Sequence, residues 1–391
     1  MNFQPTTLNE RIESIDILRG FSLLGILLVN MFAFYLPMPH ILDLNSWFSE
    51  AKDIIWQQTL DIYVQSSFYP LFSMLFGYGL AMQYLKSQRT GTSFYKFAPK
   101  RLIILLVIGF LHAIFIWWGD ILATYAFCGF FLLMLIRLRS RWLLSIAIGI
   151  NFVMHFLFIF IFLISGMANM EVDSSFVDIE MINSAITAYG VGSWGDAFMQ
   201  RLKDLSVQMS FSMWITSLFT ILPYMLIGAA AAKLRLIERA KELKKWWITL
   251  GIICIFAGLV IKSAPYNMTR SYLLDYLKVY IGGPVLSVGY VALIVLLCMI
   301  PWLLKLLRPI GKAGRMSLTL YIMQSIICTL LFYNFGFGLY GEVDVQMGVL
   351  IAIALYVIQV IFSELYFMKF KQGPLELAVK KITYQKMLSE K

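Results

Sequence analysis

Apolar runs of about 20 residues recur from one end of this chain to the other, separated by short polar loops. A run of that length matches the hydrocarbon thickness of a bilayer as a helix. In lipid every backbone N–H and C=O must be satisfied within the chain, so only helices and closed barrels can span. The runs are continuous rather than alternating, which selects helices. Spans are expected at 17–37, 66–86, 101–118, 120–137, 142–165, 211–232, 246–262, 279–304, 316–334 and 346–368. Composition agrees, with 60% hydrophobic and 14% charged residues among 391. Soluble domains lie near 45–50% and 25%. The fold class expected is all-α, a polytopic integral membrane protein with about 10 transmembrane helices.

Charge sets the expected topology. The loops at 86–101, 137–141, 233–245 and 305–315 and the tail after Met368 are basic, whereas 38–65, 166–205 and 335–345 lean acidic. All basic loops fall on one side of the ten spans, which the positive-inside rule makes the cytoplasm, with both termini inside. Residues 45–65 mix Trp47, Phe48, Ile54, Ile55, Trp56, Leu60 and Ile62 with acids, as in a helix lying at the interface. The chain divides into an N-terminal membrane bundle (1–165), an external loop (166–210) and a C-terminal membrane region (211–391). The external loop reads as one or two short amphipathic helices broken at Gly190-Val191-Gly192, a lid or a connector.

The net charge of +10 is spread over loop clusters and forms no basic domain with interleaved aromatics, so no nucleic-acid partner is expected. Cys128, Cys254, Cys298 and Cys328 lie in apolar runs without CxxC spacing and read as small buried hydrophobes. No metal site is expected, because His40, His112 and His155 have no ligand spacing with cysteines or carboxylates. The polar, acid-containing start is unlike a cleavable signal peptide. No P-loop or dinucleotide fingerprint is present.

Polar and ionisable groups inside spans are costly and mark a functional site or a buried structural network. Arg19 and Asn30, in the stretch Arg11–Asn30, lie eleven positions apart. They share a helix face about 16 Å apart along the axis. Arg101 and His112 repeat that spacing on the third span, and Asp120 follows at the turn after it. A histidine beside a carboxylate can serve as a general base, the acid orienting the ring. It can equally bridge helices by a hydrogen bond. Asn151 and His155 sit four apart on the fifth span and suit helix packing or a polar path. His40, in the loop PMPH, reads as an exposed loop residue. Gly77 and Gly79 suit close helix contact.

The stretches RIESIDILRGFSLLGILLVN, FYPLFSMLFGYGL, RLIILLVIGFLHAIFIWWGDILATYAFCGFFLL, GKAGRMSLTLYIMQS and FKQGPLELAVKKITY resemble the YeiB-like family of bacterial membrane proteins. Its C-terminal domain of unknown function 418 would fall at about 210–385 here. That family looks like a distant branch of the transmembrane acyltransferase superfamily. Relatives there include the acyltransferase-3 proteins that O-acylate surface polysaccharides and heparan-alpha-glucosaminide N-acetyltransferase. The acyltransferase-3 proteins carry an arginine and, after ten intervening residues, a catalytic histidine. Here Arg19 holds the arginine position and Asn30 the histidine position, so a base would have to come from elsewhere, His112 being placed for it.

The resemblance implies a multi-pass protein of the bacterial cell membrane. It would pass an acyl group, such as acetyl, from cytosolic acetyl-CoA or another acyl-CoA to an extracytoplasmic glycan or lipid acceptor. In that reading Arg19 and Arg101 meet the CoA phosphates, His112 is the base, Asp120 orients it and Asn30 polarises the thioester carbonyl. Membrane lipids surround the chain, and a homodimer is one assembly the sequence allows. The alternative is a transporter or flippase of a small amphipathic solute, with the same polar groups lining a path.

Overall fold

The computed structural model describes residues 12–41, 44, 47–48, 50–170 and 179–389, so Arg11 of the opening stretch lies outside the described residues. The chain begins with α1 (Glu13–Tyr35), α2 (Ala51–Tyr63), α3 (Phe68–Thr90), α4 (Ala98–Phe115), α5 (Leu122–Leu135) and α6 (Ser140–Ile164). A hairpin of α7 (Ile179–Ile186) and α8 (Trp194–Gln208) follows, and then α9 (Phe211–Thr220), α10 (Leu222–Lys233) and α11 (Lys244–Asn267). The remainder is α12 (Tyr272–Leu277), α13 (Gly283–Cys298), α14 (Pro301–Arg315), α15 (Ser317–Phe332), α16 (Val345–Lys369) and α17 (Pro374–Ser389).

The protein is an all-α polytopic membrane protein. Among the described residues seven helical stretches are long and apolar enough to cross a membrane, and eight if α14 and α15, bent by 76° between them, make one span. Three of the ten expected spans account for the difference, each for its own reason. The 23 residues of α3 include Tyr69, Ser73, Tyr78, Gln83 and Tyr84, which dilute its apolar character. At 14 residues α5 is only about 21 Å long. It is short because the turn before it is sunk in the protein, with Trp117, Trp118 and Asp120 buried. α15 meets the preceding α14 at the sharp bend.

α1 is the hub, packing on α3, α13, α14, α15 and α16. Of its most apolar window 61% is buried, against 11% for α6, whose Phe152, Phe156 and Phe160 stack along an exposed face suited to lipid. The tightest crossing joins α3 to α10. A Cβ on Gly77 would lie 1.9 Å from the Met225 carbonyl oxygen, and one on Gly228 1.9 Å from that of Met74. Backbones can approach this closely only where both side chains are missing.

The basic loops gather at one end of the bundle. There Lys233 donates to the carbonyls of Ile136 and Leu138, Arg137 stacks on Tyr95, Tyr78 donates to Glu238 and Arg308 pairs with Glu13. The opposite, acidic end holds α2 and the α7–α8 hairpin. Asp53 on α2 accepts from the Val345 amide at the start of α16 (3.0 Å), and Lys52 pairs with Asp344 (3.0 Å). The hairpin breaks at a π-turn over Thr187–Val191, where the glycines predict a break, and α8 begins with a capping box between Ser193 and Asp196.

Gly228→Val is expected to cost about 1–3 kcal/mol or more by overpacking the α3–α10 crossing. Gly149→Val, on α6 where nothing lies within 4 Å of the added Cβ, should leave stability nearly unchanged. Thermal unfolding of the two detergent-solubilised variants beside wild type checks this contrast.

Candidate functional site

At the basic end α1 presents Arg19, and α4 presents Arg101 near its first turn. Both side chains line one cavity of about 390 Å³. Arg19 is held by Asp16 one turn earlier, at 3.1 Å. Its other terminal nitrogen lies against α3 where Gly79 leaves room, since a Cβ there would be 3.3 Å away. Arg101 has neither an ion-pair nor a hydrogen-bond partner among the described residues, although it sits inside the bundle. The level of the arginines is the polar part of the cavity, and further in the walls are Leu23, Ile26, Leu75, Phe76, Leu105 and Leu122.

The outer wall belongs to the C-terminal helix α17, through Glu376, Lys380 and Tyr384. Glu376 reaches across to the start of α15, accepting from the amides of Leu318 (2.8 Å) and Thr319 (3.2 Å) and from the Thr319 hydroxyl (2.7 Å). Those amides are orphan donors of a helix N-terminus, where a carboxylate also meets the positive end of the helix dipole. Burial nevertheless pushes the Glu376 carboxyl above its ordinary range, the hydrogen bonds opposing the shift.

The inner end adjoins a second polar group. His112 Nδ1 lies 2.8 Å from Asp120 Oδ2, both residues almost wholly buried. The other carboxylate oxygen, Oδ1, accepts from the Ala123 amide at 2.8 Å and so caps the start of α5. Tyr321 of α15 donates to Asp120 Oδ2 at 3.4 Å and accepts from the Ile121 amide at 3.3 Å. An aspartate that accepts from Nδ1–H leaves the imidazole lone pair on Nε2. Among the described residues that Nε2 is buried without a hydrogen-bond partner. The close approach of α5 to α4 needs Gly109, since a Cβ there would sit 2.5 Å from the Ala123 nitrogen and 2.7 Å from Asp120 Oδ1.

The residues singled out in the sequence therefore separate into groups. Arg19 and Arg101 share the cavity. His112 and Asp120 form a pair beyond its inner end, joined to the lining through Tyr321, whose ring lies 5.2 Å from that of His112. Asn30, half-buried on α1, does not line the cavity. Asn151 bonds the Ala147 carbonyl and Tyr224, and His155 meets Tyr276 at 2.9 Å.

His40 departs from its expected exposure. Its Nε2 is 3.1 Å from Asp204 of α8, which also accepts from Tyr189 (2.7 Å) and Gln200 (2.9 Å). The reason is the hairpin, whose Asp204 reaches the 38–40 loop and leaves the His40 side chain only 9% exposed. Beside it Arg201 donates to the carbonyls of Ile114 (3.3 Å) and Phe115 (2.9 Å), the free acceptors at the end of α4. The sequence does not single out Tyr321, Glu376 and Lys380 as site residues, although they fall in the stretches GKAGRMSLTLYIMQS and FKQGPLELAVKKITY that carry the family resemblance. Among the described residues no group of His, Cys, Asp and Glu is arranged to hold a metal ion.

A raised carboxyl pKa means that folding takes up a proton. The contribution of Glu376 to stability is then full below the unfolded value of about 4.3 and is lost as pH rises through the folded value. The difference in melting temperature between wild type and Glu376→Gln is expected to fall as pH increases from that value, measured in detergent over a pH series.

Residues 231–386 match the family described as protein of unknown function (DUF418). Over nearly its full length the chain is similar to the uncharacterized protein YxaH of Bacillus subtilis, 34% identical over 403 residues, 98% of this chain and 96% of that protein. It is 27% identical over 400 residues to an uncharacterized 39.9 kDa protein in the amylase 3' region of Bacillus acidopullulyticus, 98% of this chain and 96% of that one. With the uncharacterized protein YeiB of Escherichia coli the identity is 26% over 392 residues, 96% of each. The family match takes in Tyr321, Glu376 and Lys380, whereas Arg19, Arg101, His112 and Asp120 lie before it.

Proposed function

The chain belongs to the DUF418 family of bacterial membrane proteins, and from its cavity we propose that it is a membrane acyltransferase. Its donor would be a cytosolic acyl-CoA such as acetyl-CoA, and its acceptor a hydroxyl of an extracytoplasmic glycan or lipid. One arrangement carries this reading. Two arginines, one of them without an ion-pair or side-chain hydrogen-bond partner among the described residues, face a cavity whose lining includes Tyr321, the tyrosine bonded to a buried histidine–aspartate pair.

The residues present fit the donor. Fixed guanidiniums suit phosphate oxygens, and a cavity of about 390 Å³ lies within the usual range of small-molecule sites. Placed at the basic end, which charge assigns to the cytoplasm, the opening faces the compartment where acyl-CoA is found. In the reaction the acceptor hydroxyl gives its proton to His112 Nε2 as its oxygen bonds the thioester carbonyl carbon. The carbon–sulfur bond then breaks, and the leaving thiolate takes the proton from His112. Asp120 holds the ring in the Nδ1–H form and stabilises the imidazolium between these steps.

In lipid nanodiscs the wild-type protein is expected to bind acetyl-CoA and release free thiol, slowly with water as acceptor. Arg101→Ala should weaken binding about 10- to 100-fold, the range for a lost charged hydrogen bond. His112→Ala should keep the affinity within a factor of about two while thiol release drops at least 100-fold. Calorimetry and a thiol-trapping assay read the two quantities. A wild-type protein that neither binds nor cleaves acetyl-CoA, but moves a solute across proteoliposomes without it, would establish the transporter instead.

A further inference from the structure

We infer that the inner end of the cavity measures the acyl group, and that Ile26, Phe72 and Leu122 make it selective for short chains. The inference rests on the acyltransferase reading and adds to it which residues choose the substrate.

Two antiparallel helices give the depth independently. Along α1 the lining runs from Ile12 past Arg19 to Ile26, and along α3 from Gln83 past Gly79 to Phe72. At 1.5 Å per residue these are about 21 Å and about 16 Å. Gly79 lies against the Arg19 guanidinium and so marks the same charged region on α3. From it both leave seven residues, about 10 Å, to the inner end. The arm of CoA between pyrophosphate and sulfur is comparable to four residues of extended backbone, about 14 Å. With the phosphates between the arginines and the opening, where Lys380 and Arg315 add positive charge, the sulfur arrives near the inner end. Tyr321, whose hydroxyl meets the amide of Ile121 beside Leu122, lines the cavity there and leads to the His112 pair.

Little length then remains for the acyl group. The end wall is rigid: Ile26 is 6% and Leu122 8% exposed, and the Phe72 ring packs edge-on against Tyr125, centroids 5.1 Å apart. Tyr125 is itself fixed by the Tyr69 carbonyl (2.9 Å) and by Ser73 (3.2 Å). A longer chain would have to displace packed side chains, and close-packed interiors yield to extra methylenes at a substantial cost. Truncating Phe72 removes the side chain that can be shortened without touching the dyad or the arginines.

The test is thiol release from acetyl-, butanoyl-, octanoyl- and palmitoyl-CoA by nanodisc-embedded protein, with each Kd from competition against labelled CoA. For wild type, kcat/KM is expected to fall at least 10-fold from acetyl to octanoyl. In Phe72→Ala the octanoyl-to-acetyl ratio should rise at least 10-fold with the Kd for CoA itself unchanged. Ile26→Ala provides the same readout if Phe72→Ala does not fold. Wild type that cleaves octanoyl-CoA as well as acetyl-CoA, or folded variants whose ratio stays within twofold of wild type, overturns the assignment of the end wall and leaves the acyltransferase reading standing. Absence of binding and cleavage with every thioester overturns both.

Discussion

A carboxylate in the middle of a membrane protein must be surrounded by donors, and the arrangement around Asp120 follows from that requirement. Burial of an unpaired charge costs far more than any single contact returns. Asp120 is fully buried and meets the His112 ring, the Ala123 amide and the Tyr321 hydroxyl. Each donor comes from a different place, α4, α5 and α15, so satisfying one side chain fixes three helices relative to one another. The shortness of α5 is part of the same solution. Its first turn has to start inside the bundle so that its free amides can serve the carboxylate. Gly109 then has to be a glycine, because the backbone of α5 occupies the space of its side chain.

The cavity at the basic end obeys the opposite rule, since its cations are left incompletely neutralised. Arg19 and Arg315 have protein partners, Asp16 and the Lys371 carbonyl among them, whereas Arg101 has none among the described residues. Of the carboxylates among the described lining residues, Asp16 pairs with Arg19 and Glu376 is committed to the amides of α15 and held there by α17. Positive charge therefore remains directed at the space between helices. That is an unfavourable state for an empty protein and a suitable one for an anion. Stability and binding are in tension here, as expected where strongly polar groups sit at membrane depth.

Much of this was legible in the sequence, and the parts that were not share a cause. Helix class, the basic and acidic ends and the break at Gly190–Gly192 follow from local pattern. The eleven-residue spacing puts Arg101 and His112 on one helix, but of the two only Arg101 lines the cavity; Asp120, which the sequence offers as a possible neighbour of His112, does contact it. In α1 likewise Arg19 points into the cavity while Asn30 does not line it. Helical phase gives a shared face, and only the neighbouring helices decide what that face meets. His40 shows the same limit: its loop is short and polar, and nothing in it announces that α8 will fold over it. Tyr321 and Glu376 act through partners 201 and 57–58 residues away, separations no local pattern encodes.

The acidic end bears on the dyad through α8. Arg201 donates to the carbonyls of Ile114 and Phe115, two and three residues beyond His112, while Asp204 on the same helix holds His40 and Tyr189. The hairpin is therefore more than a tether between the two membrane regions. It closes the end of α4 with a buried guanidinium and covers the buried turn that carries Asp120. Its anchorage is apolar as well as polar: Ile182, Ala185, Tyr189, Ala197 and Leu205 are buried in the same core as α1 and α15, and the Tyr189 ring packs on Tyr333 (4.4 Å) and Tyr340 (5.0 Å).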